Sequence, residues 1–263
     1  MEKLSARLEV ALTIAKKAGE LALQKYHNLS ELKIEKKGLQ DLVSEADREV
    51  ELLIRENIKQ SYPDDGIIGE EFARKEASQS PYTWVIDPID GTANFVREIP
   101  IWAVVIACIT AEEIVIGVVY DPVHDEMFFA SKGNGAFLNE KPINTALSDG
   151  IHDGLIGIGT SQHPSNNRVI TMITDLVSQG GVFCRCGSGA LGIVFVACGR
   201  YIGYLESFMN AWDCLASILI VKEAGGQVIE FEMDEMITQG GQVVTASNSV
   251  ATQIWQLAEH FNQ

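Results

Sequence analysis

Trp84-Val85-Ile86-Asp87-Pro88-Ile89-Asp90-Gly91-Thr92-Ala93-Asn94-Phe95 is an apolar run that passes directly into two acids three residues apart. Thr83 to Ile86 has the β-branched and aromatic character of a buried strand. The acids therefore stand at the mouth of a sheet, where burying them unpaired would cost roughly several kcal/mol. Something cationic should meet them. Pro88 and Gly91 bend the backbone, so that both side chains and the intervening Ile89 carbonyl can converge on one point. A donor set made only of oxygens suits Mg²⁺. Taken singly, Asp87 or Asp90 reads better as the end of a strand followed by an Asp/Gly turn.

Working outward, Ile67-Ile68 before Gly69-Glu70-Glu71 repeats the plan of a strand that delivers acids to its end. Ala103 to Ile109 and Ile114 to Val119 are further short β-rich runs, and together these segments predict buried strands of one sheet. Upstream, Leu4, Leu8, Ala11, Leu12, Ala15, Ala18 and Ala22 follow helical spacing and predict a long amphipathic helix ending near Tyr26. Ser44-Glu45-Ala46-Asp47 resembles a capped start to a second helix, carrying Val50, Leu53, Ile54 and Ile58 and stopping before Tyr62-Pro63. Downstream, Leu155 to Ile158 reads as a strand, and Arg168 to Val177, Ala190 to Ala197 and Trp212 to Ala224 read as helices. Asp213 either caps the last of these or serves as a further ligand. Helices alternating with strands suggest layered α/β packing. Ala146 to Asp153 is the best boundary between halves, 1–148 and 149–263, which are expected to pack as one compact unit.

The chain has 263 residues, 46% of them apolar, and a formal net charge of −16. That charge repels a phosphate backbone, so no nucleic-acid partner is expected and any phosphate affinity has to be created locally. Divalent cations held by carboxylates would reverse the local field. The five cysteines are odd in number and lie mostly in apolar runs, as reduced thiols do. Cys184-Arg185-Cys186 lacks the spacing of a zinc or redox motif. The N-terminus has no secretory apolar region, and no window approaches the ~20 apolar residues of a membrane span. A cytoplasmic protein without a membrane partner is expected. His27, His124, His152, His163 and His260 are scattered without ligand spacing, and Ser161 reads as a loop hydroxyl.

Gly69-Glu70-Glu71, the run Asp87 to Phe95, and Trp212-Asp213, in that order and at these spacings, resemble the signature of the inositol monophosphatase family. The resemblance spans nearly the whole chain. It implies an α/β (α+β) layered αβαβα sandwich of the inositol monophosphatase and fructose-1,6-bisphosphatase type. It further implies a homodimer that hydrolyses a small phosphate monoester with Mg²⁺ and is inhibited by Li⁺. By motif, Glu70, Asp87, the Ile89 carbonyl, Asp90 and Asp213 would hold two or three Mg²⁺ ions per subunit. Thr92, with Glu70 and Asp47, would orient and deprotonate the attacking water, with no covalent phosphoenzyme. On the substrate side the resemblance points to Asp90, Gly91, Thr92 and Asp213, together with Gly187, Ser188, Gly189 and Glu206, where a small-residue loop and an acid meet a polyol.

The substrate stays open at this stage. Phe95-Val96-Arg97, followed by Pro100 and Trp102, also resembles histidinol-phosphate phosphatases of the same superfamily. Fructose-1,6-bisphosphatase and bisphosphate nucleotidase activities occur on this scaffold too. A different class of reading is a regulatory binding protein that has retained the fold.

Overall fold

The computed structural model describes residues 2–29, 34–38, 41–72, 79–160 and 166–262. The chain begins with α1 (Glu2–Tyr26), the antiparallel pair β1 (Ile34–Gly38) and β2 (Asp41–Ser44), and α2 (Glu45–Ser61). Next come β3 (Gly66–Gly69), β4 (Thr83–Asp90), the single turn α3 (Thr92–Phe95), β5 (Ala103–Ile109), β6 (Ile114–Asp121), β7 (Glu126–Ser131), β8 (Ala136–Leu138) and β9 (Lys141–Ile143). Then follow β10 (Leu155–Ile158), α4 (Asn166–Ser178), β11 (Val182–Cys184), α5 (Gly189–Ala197), β12 (Gly203–Met209) and α6 (Ala211–Glu223). The chain closes with β13 (Gln227–Val228), α7 (Met233–Gln239), β14 (Gly241–Ala246) and α8 (Ala251–Ala258).

Strands β3 to β9 lie in sequence order in a seven-stranded sheet, and a five-stranded sheet has the order β11-β10-β12-β14-β13. Side chains alternate across a strand, and here the alternation sorts residues into layers. Trp84, Ile86, Val104, Ile106 and Cys108 pack with Ala11, Ala15 and Ala18 of α1 and Val50, Ile54 and Ile58 of α2. The opposite face, with Val85, Val105 and Ala107, packs on Leu191 and Val194 of α5 and on Leu215 and Ile218 of α6. Tyr204, Met209 and Val243 close that middle layer from the smaller sheet. Ile156, Ile158, Leu205 and Val244 point the other way, onto Val169 and Met172 of α4 and Ile254 of α8. The layers are therefore helix, sheet, helix, sheet, helix, as expected. Because β4, β5 and β6 are covered on both faces, they are near-continuous apolar runs rather than alternating ones.

The predicted helices appear within about two residues of their expected ends, the usual uncertainty of a helix terminus. The sequence reading does not include β1, β2, β7, β8, β9, β11, β13, β14, α3, α7 or α8, and two further differences bear on the site. Strand β4 does not stop before the acids; it continues through Pro88 to Asp90. In its pairing with β5, Asp87 faces Val105 and Asp90 faces Ala103, so β4 carries one extra residue at that point. A bulge of this kind is where proline is tolerated inside a sheet. The second difference is β12, which carries Glu206 and was not foreseen as a strand.

Candidate active site

In a regular strand, residues three apart point to opposite faces. The extra residue in β4 reverses that parity, so Asp87 and Asp90 both turn toward the middle layer. Asp213, in the first turn of α6, meets them there. Oxygens of Asp87, Asp90 and Asp213 all lie within 4.8 Å of one another. Strands β3 and β4 are parallel, with Gly69 opposite Ile86, which brings the next residue of each, Glu70 and Asp87, side by side. The Glu70 and Asp87 carboxyl groups are close enough to act on one another, and so are those of Asp87 and Asp213. Acids this close need a shared proton or a cation between them.

Each acid is held by its own partners. Ile89 N donates to Asp87 Oδ1 at 2.9 Å. Asp90 sits against the start of α5, where Ala190 N donates to its Oδ2 at 2.9 Å and Gly189 N to its Oδ1 at 3.3 Å, and the Ser188 hydroxyl bonds Oδ2 as well. Asp213 Oδ2 accepts from Asn210 N at 3.0 Å, so this acid caps its helix while also joining the cluster. The two readings of Asp213 are not exclusive.

The electrostatics show negative charge in excess. Burial first, then the charges of Glu70, Asp90 and Asp213, push the Asp87 carboxyl well above the ordinary range. Burial and Asp213 push Asp90 up to about 7, against the pull of its Ser188, Ala190 and Gly189 donors. Burial raises Asp213 to about 6. A cluster of oxygen donors strained in this way fits a divalent cation such as Mg²⁺, which would relieve the repulsion.

Thr92 begins α3 directly after Gly91, whose φ of 95° is left-handed. A side chain there would be strained and would also press on the Ile101 and Gly187 carbonyl oxygens. The Thr92 hydroxyl lies 3.1 Å from Asp47 Oδ1 and 3.1 Å from the Ile89 carbonyl, donating to one or the other. Asp47 is fully buried in the first turn of α2.

On the α5 side, Ser188 caps its helix by accepting from Leu191 N at 3.2 Å. Glu206 Oε2 accepts from the Tyr204 hydroxyl at 2.6 Å, and burial pushes the Glu206 carboxyl up to about 8. Asp90 and Asp213 are both among the charges that act on Glu206. A Cβ on Gly189 would stand 3.7 Å from Glu206 Oε2. Every residue singled out from the sequence for this site thus falls in one neighbourhood. Ser161 and His163 lie outside the described residues. Among the other histidines, His124 and His260 pair with Asp121 and Asp175 at 2.8 and 3.1 Å.

Sequence reading missed several supports. Asn94 is buried, and its Nδ2 donates to the Ile101 carbonyl at 2.8 Å and the Cys186 carbonyl at 2.9 Å, tying the acid-bearing loop to the Gly187–Gly189 strip. Glu51 and Arg55 of α2 are also buried, beside the Gly69–Phe72 segment. The available signal was spacing: Asp47, Glu51 and Arg55 stand four apart and so share one face of the helix.

A model of the inositol monophosphatase family matches residues 3–263. The chain is 36% identical over 245 residues to a Nus factor SuhB of Haemophilus influenzae, with 92% of each protein covered. It is 32% identical over 249 residues to an inositol-1-monophosphatase of Rhizobium meliloti, with 94% of each covered. The crystal structure of extragenic suppressor protein suhB from Bartonella henselae superposes with a TM-score of 0.89 at 30% identity, covering 98% of this chain and 99% of that one. With the sandwich, the acid cluster and the motif order in agreement, the chain belongs to the inositol monophosphatase family, a family of Mg²⁺-dependent phosphatases.

Proposed function

We propose that this protein is a phosphate monoester hydrolase that acts on inositol 1-phosphate or a closely similar polyol phosphate. The observation that carries the reading is the convergence of Asp87, Asp90 and Asp213, buried acids whose oxygens lie within 4.8 Å of one another. Glu70, Asp87, the Ile89 carbonyl, Asp90 and Asp213 would hold the Mg²⁺ ions. When bound, Mg²⁺ lowers the pKa of water and offsets the charge that gathers on the phosphate oxygens. The chain's own groups then do the positioning. The Thr92 hydroxyl, with its proton directed to Asp47 or to the Ile89 carbonyl, keeps lone pairs with which to accept from the attacking water. Glu70 would take the water's proton. In-line attack on phosphorus leaves no phosphoenzyme, and a water held near Asp213 returns a proton to the leaving alkoxide.

The Gly91 and Thr92 amides are candidate donors to the phosphate. Ser188, with the glycines on either side of it, and Glu206 form the polyol wall. Tyr204 occupies Glu206 Oε2, which leaves Oε1 to accept from a substrate hydroxyl. In this reading the first half of the chain, 1–148, supplies most cation ligands, and the second, 149–263, supplies Asp213 and the polyol wall. A cytoplasmic homodimer sensitive to Li⁺ and without a nucleic-acid partner belongs to the same proposal. Assays of inositol 1-phosphate and histidinol phosphate with Mg²⁺ test the substrate. A kcat/KM about ten times higher for histidinol phosphate would reject the inositol assignment and leave the reaction class standing.

The 36% identity to a protein named as a Nus factor favours a second reading, a regulatory binding role on the same fold. Asp90→Asn separates the two. Full cellular function from a catalytically dead Asp90→Asn protein would assign the role to binding.

A further inference from the structure

Helix α2 carries three buried polar residues at successive turns, Asp47, Glu51 and Arg55. Asp47 holds Thr92, as described. Glu51 has no solvent exposure, and a carboxylate buried in this way is tolerated only when its oxygens are fully engaged. Its partners are informative. Arg55 Nε donates to Oε1 at 2.7 Å, Glu71 N donates to Oε2 at 2.8 Å and Phe72 N to Oε1 at 3.3 Å. Arg55 Nη2 closes the arrangement by donating to the Phe72 carbonyl at 2.9 Å.

The amides of the two residues that follow Glu70 are therefore pinned by one carboxylate, and the residue before Glu70 is pinned by contact. A Cβ added to Gly69 would fall 2.2 Å from Glu51 Oε1 and 2.9 Å from Arg55 Nη2. Only glycine allows the carboxylate to come so near this backbone. Thr92 and Glu70 lie in separate segments, 89–92 and 69–72, and a single helix fastens both, one turn apart.

Resting on the catalytic reading above, we infer that Glu51, paired with Arg55, is a positioning residue that sets Glu70 against Thr92 and the acid cluster. It touches neither substrate nor cation and acts through the backbone on each side of Glu70. Partners of this kind, one bond removed from a cation's ligands, typically change cation affinity or turnover by about 10–100-fold when removed.

Three variants of the full chain test the inference: Glu51→Gln, Gly69→Ala and Glu70→Gln. In Glu51→Gln the new NH₂ faces a donor, so one of the three bonds is lost if it replaces Oε2 and two if it replaces Oε1, while the side-chain volume is kept. Expected are a Mg²⁺ dissociation constant, read by calorimetry, raised about tenfold and a kcat lowered about tenfold, with KM for inositol 1-phosphate at saturating Mg²⁺ within about twofold of wild type. Gly69→Ala should move the same quantities in the same direction with the Glu51 charge intact, and it decides the matter if Glu51→Gln does not fold. A lower melting temperature with wild-type Mg²⁺ affinity and turnover would assign Glu51 to structure alone and overturn the inference. If Glu70→Gln is impaired while both other variants are normal, only this inference fails. If Glu70→Gln itself binds Mg²⁺ and turns over normally, the reading of the site fails and the inference falls with it.

Discussion

At the scale of single residues, the acids are expensive to the fold, and that cost is what function requires. Asp87 is 2% exposed and crowded by like charge, so as an anion it destabilises the protein in the absence of a cation. Asp87→Asn mimics the protonated form. In chelator at pH 8 it should raise the melting temperature by several degrees, while cutting kcat with Mg²⁺ by about three orders of magnitude. Thermal melts beside steady-state kinetics check both halves, and a variant that lost stability as well as activity would contradict the account. Glu206→Ala should behave differently, because it removes a hydroxyl acceptor and leaves the cluster intact. KM for inositol 1-phosphate should rise by about tenfold or more with kcat changed little, and the preference among phosphate esters should shift. Asp87, Asp90 and Glu70 were legible in the sequence because acids ending apolar runs are anomalous, whereas Asp213, at the start of an apolar helix, was separated from a plain cap only by the motif order. Glu51 was not legible, since an acid four residues before Arg55 on a helix has the pattern of a solvated ion pair.

At the scale of elements, the buried strands and long helices could be read from their composition, and the short pieces could not. Gly203–Met209 became a strand only because β10 and β14 flank it, which is tertiary context. The bulge at Pro88 was half visible: proline announced an irregularity, but the reversal of parity that turns both acids inward appears only with the register against β5. Parallel pairing of β3 with β4 also separates two kinds of residue along the strands. The acids proposed for chemistry lie at the C-terminal ends, whereas Asp65, just before β3, belongs to a structural network. Asp65 is 2% exposed, accepts from Trp84 Nε1 at 3.0 Å and Ser80 Oγ at 2.5 Å, and pairs with Arg7 at 3.3 Å. The Arg7 guanidinium lies 4.1 and 3.9 Å from the Tyr62 and Tyr82 ring centroids, so the network clamps α1 to the sheet. Asp65→Ala leaves those donors unpaired and should cost about 3 kcal/mol in urea unfolding. Because the clamp sits at the far end of β3 from Glu70, kcat should stay within about twofold of wild type; a large loss of turnover would show that the two ends are coupled.

At the scale of the whole molecule, the raised carboxyl groups predict how stability responds to pH. Asp87, Asp90, Asp213 and Glu206 all titrate above the ordinary range when folded, the last three at about 7, 6 and 8. Between the ordinary carboxylate range and those values the unfolded chain has released protons that the folded chain still holds. Their contribution to stability is fully present below the ordinary carboxylate range and is lost as pH rises from there through about 8. The groups shifted the other way do not obscure this. Glu126 beside Arg200 and Asp175 beside His260 are held below the ordinary carboxylate range, so their contributions are lost only in more acidic solution. Metal-free protein should therefore melt roughly 10 °C lower at pH 8 than at pH 5, a few kcal/mol in a chain of this size. In the proposed reading Mg²⁺ would bind the deprotonated cluster in competition with protons, so saturating Mg²⁺ should add far more stability at pH 8 than at pH 5. Differential scanning calorimetry at both pH values, with chelator and with Mg²⁺, measures this. Asp87→Asn should flatten the metal-free pH dependence and shrink the Mg²⁺ increment together. If the variant kept the wild-type slope, the pH dependence would have to come from groups other than Asp87.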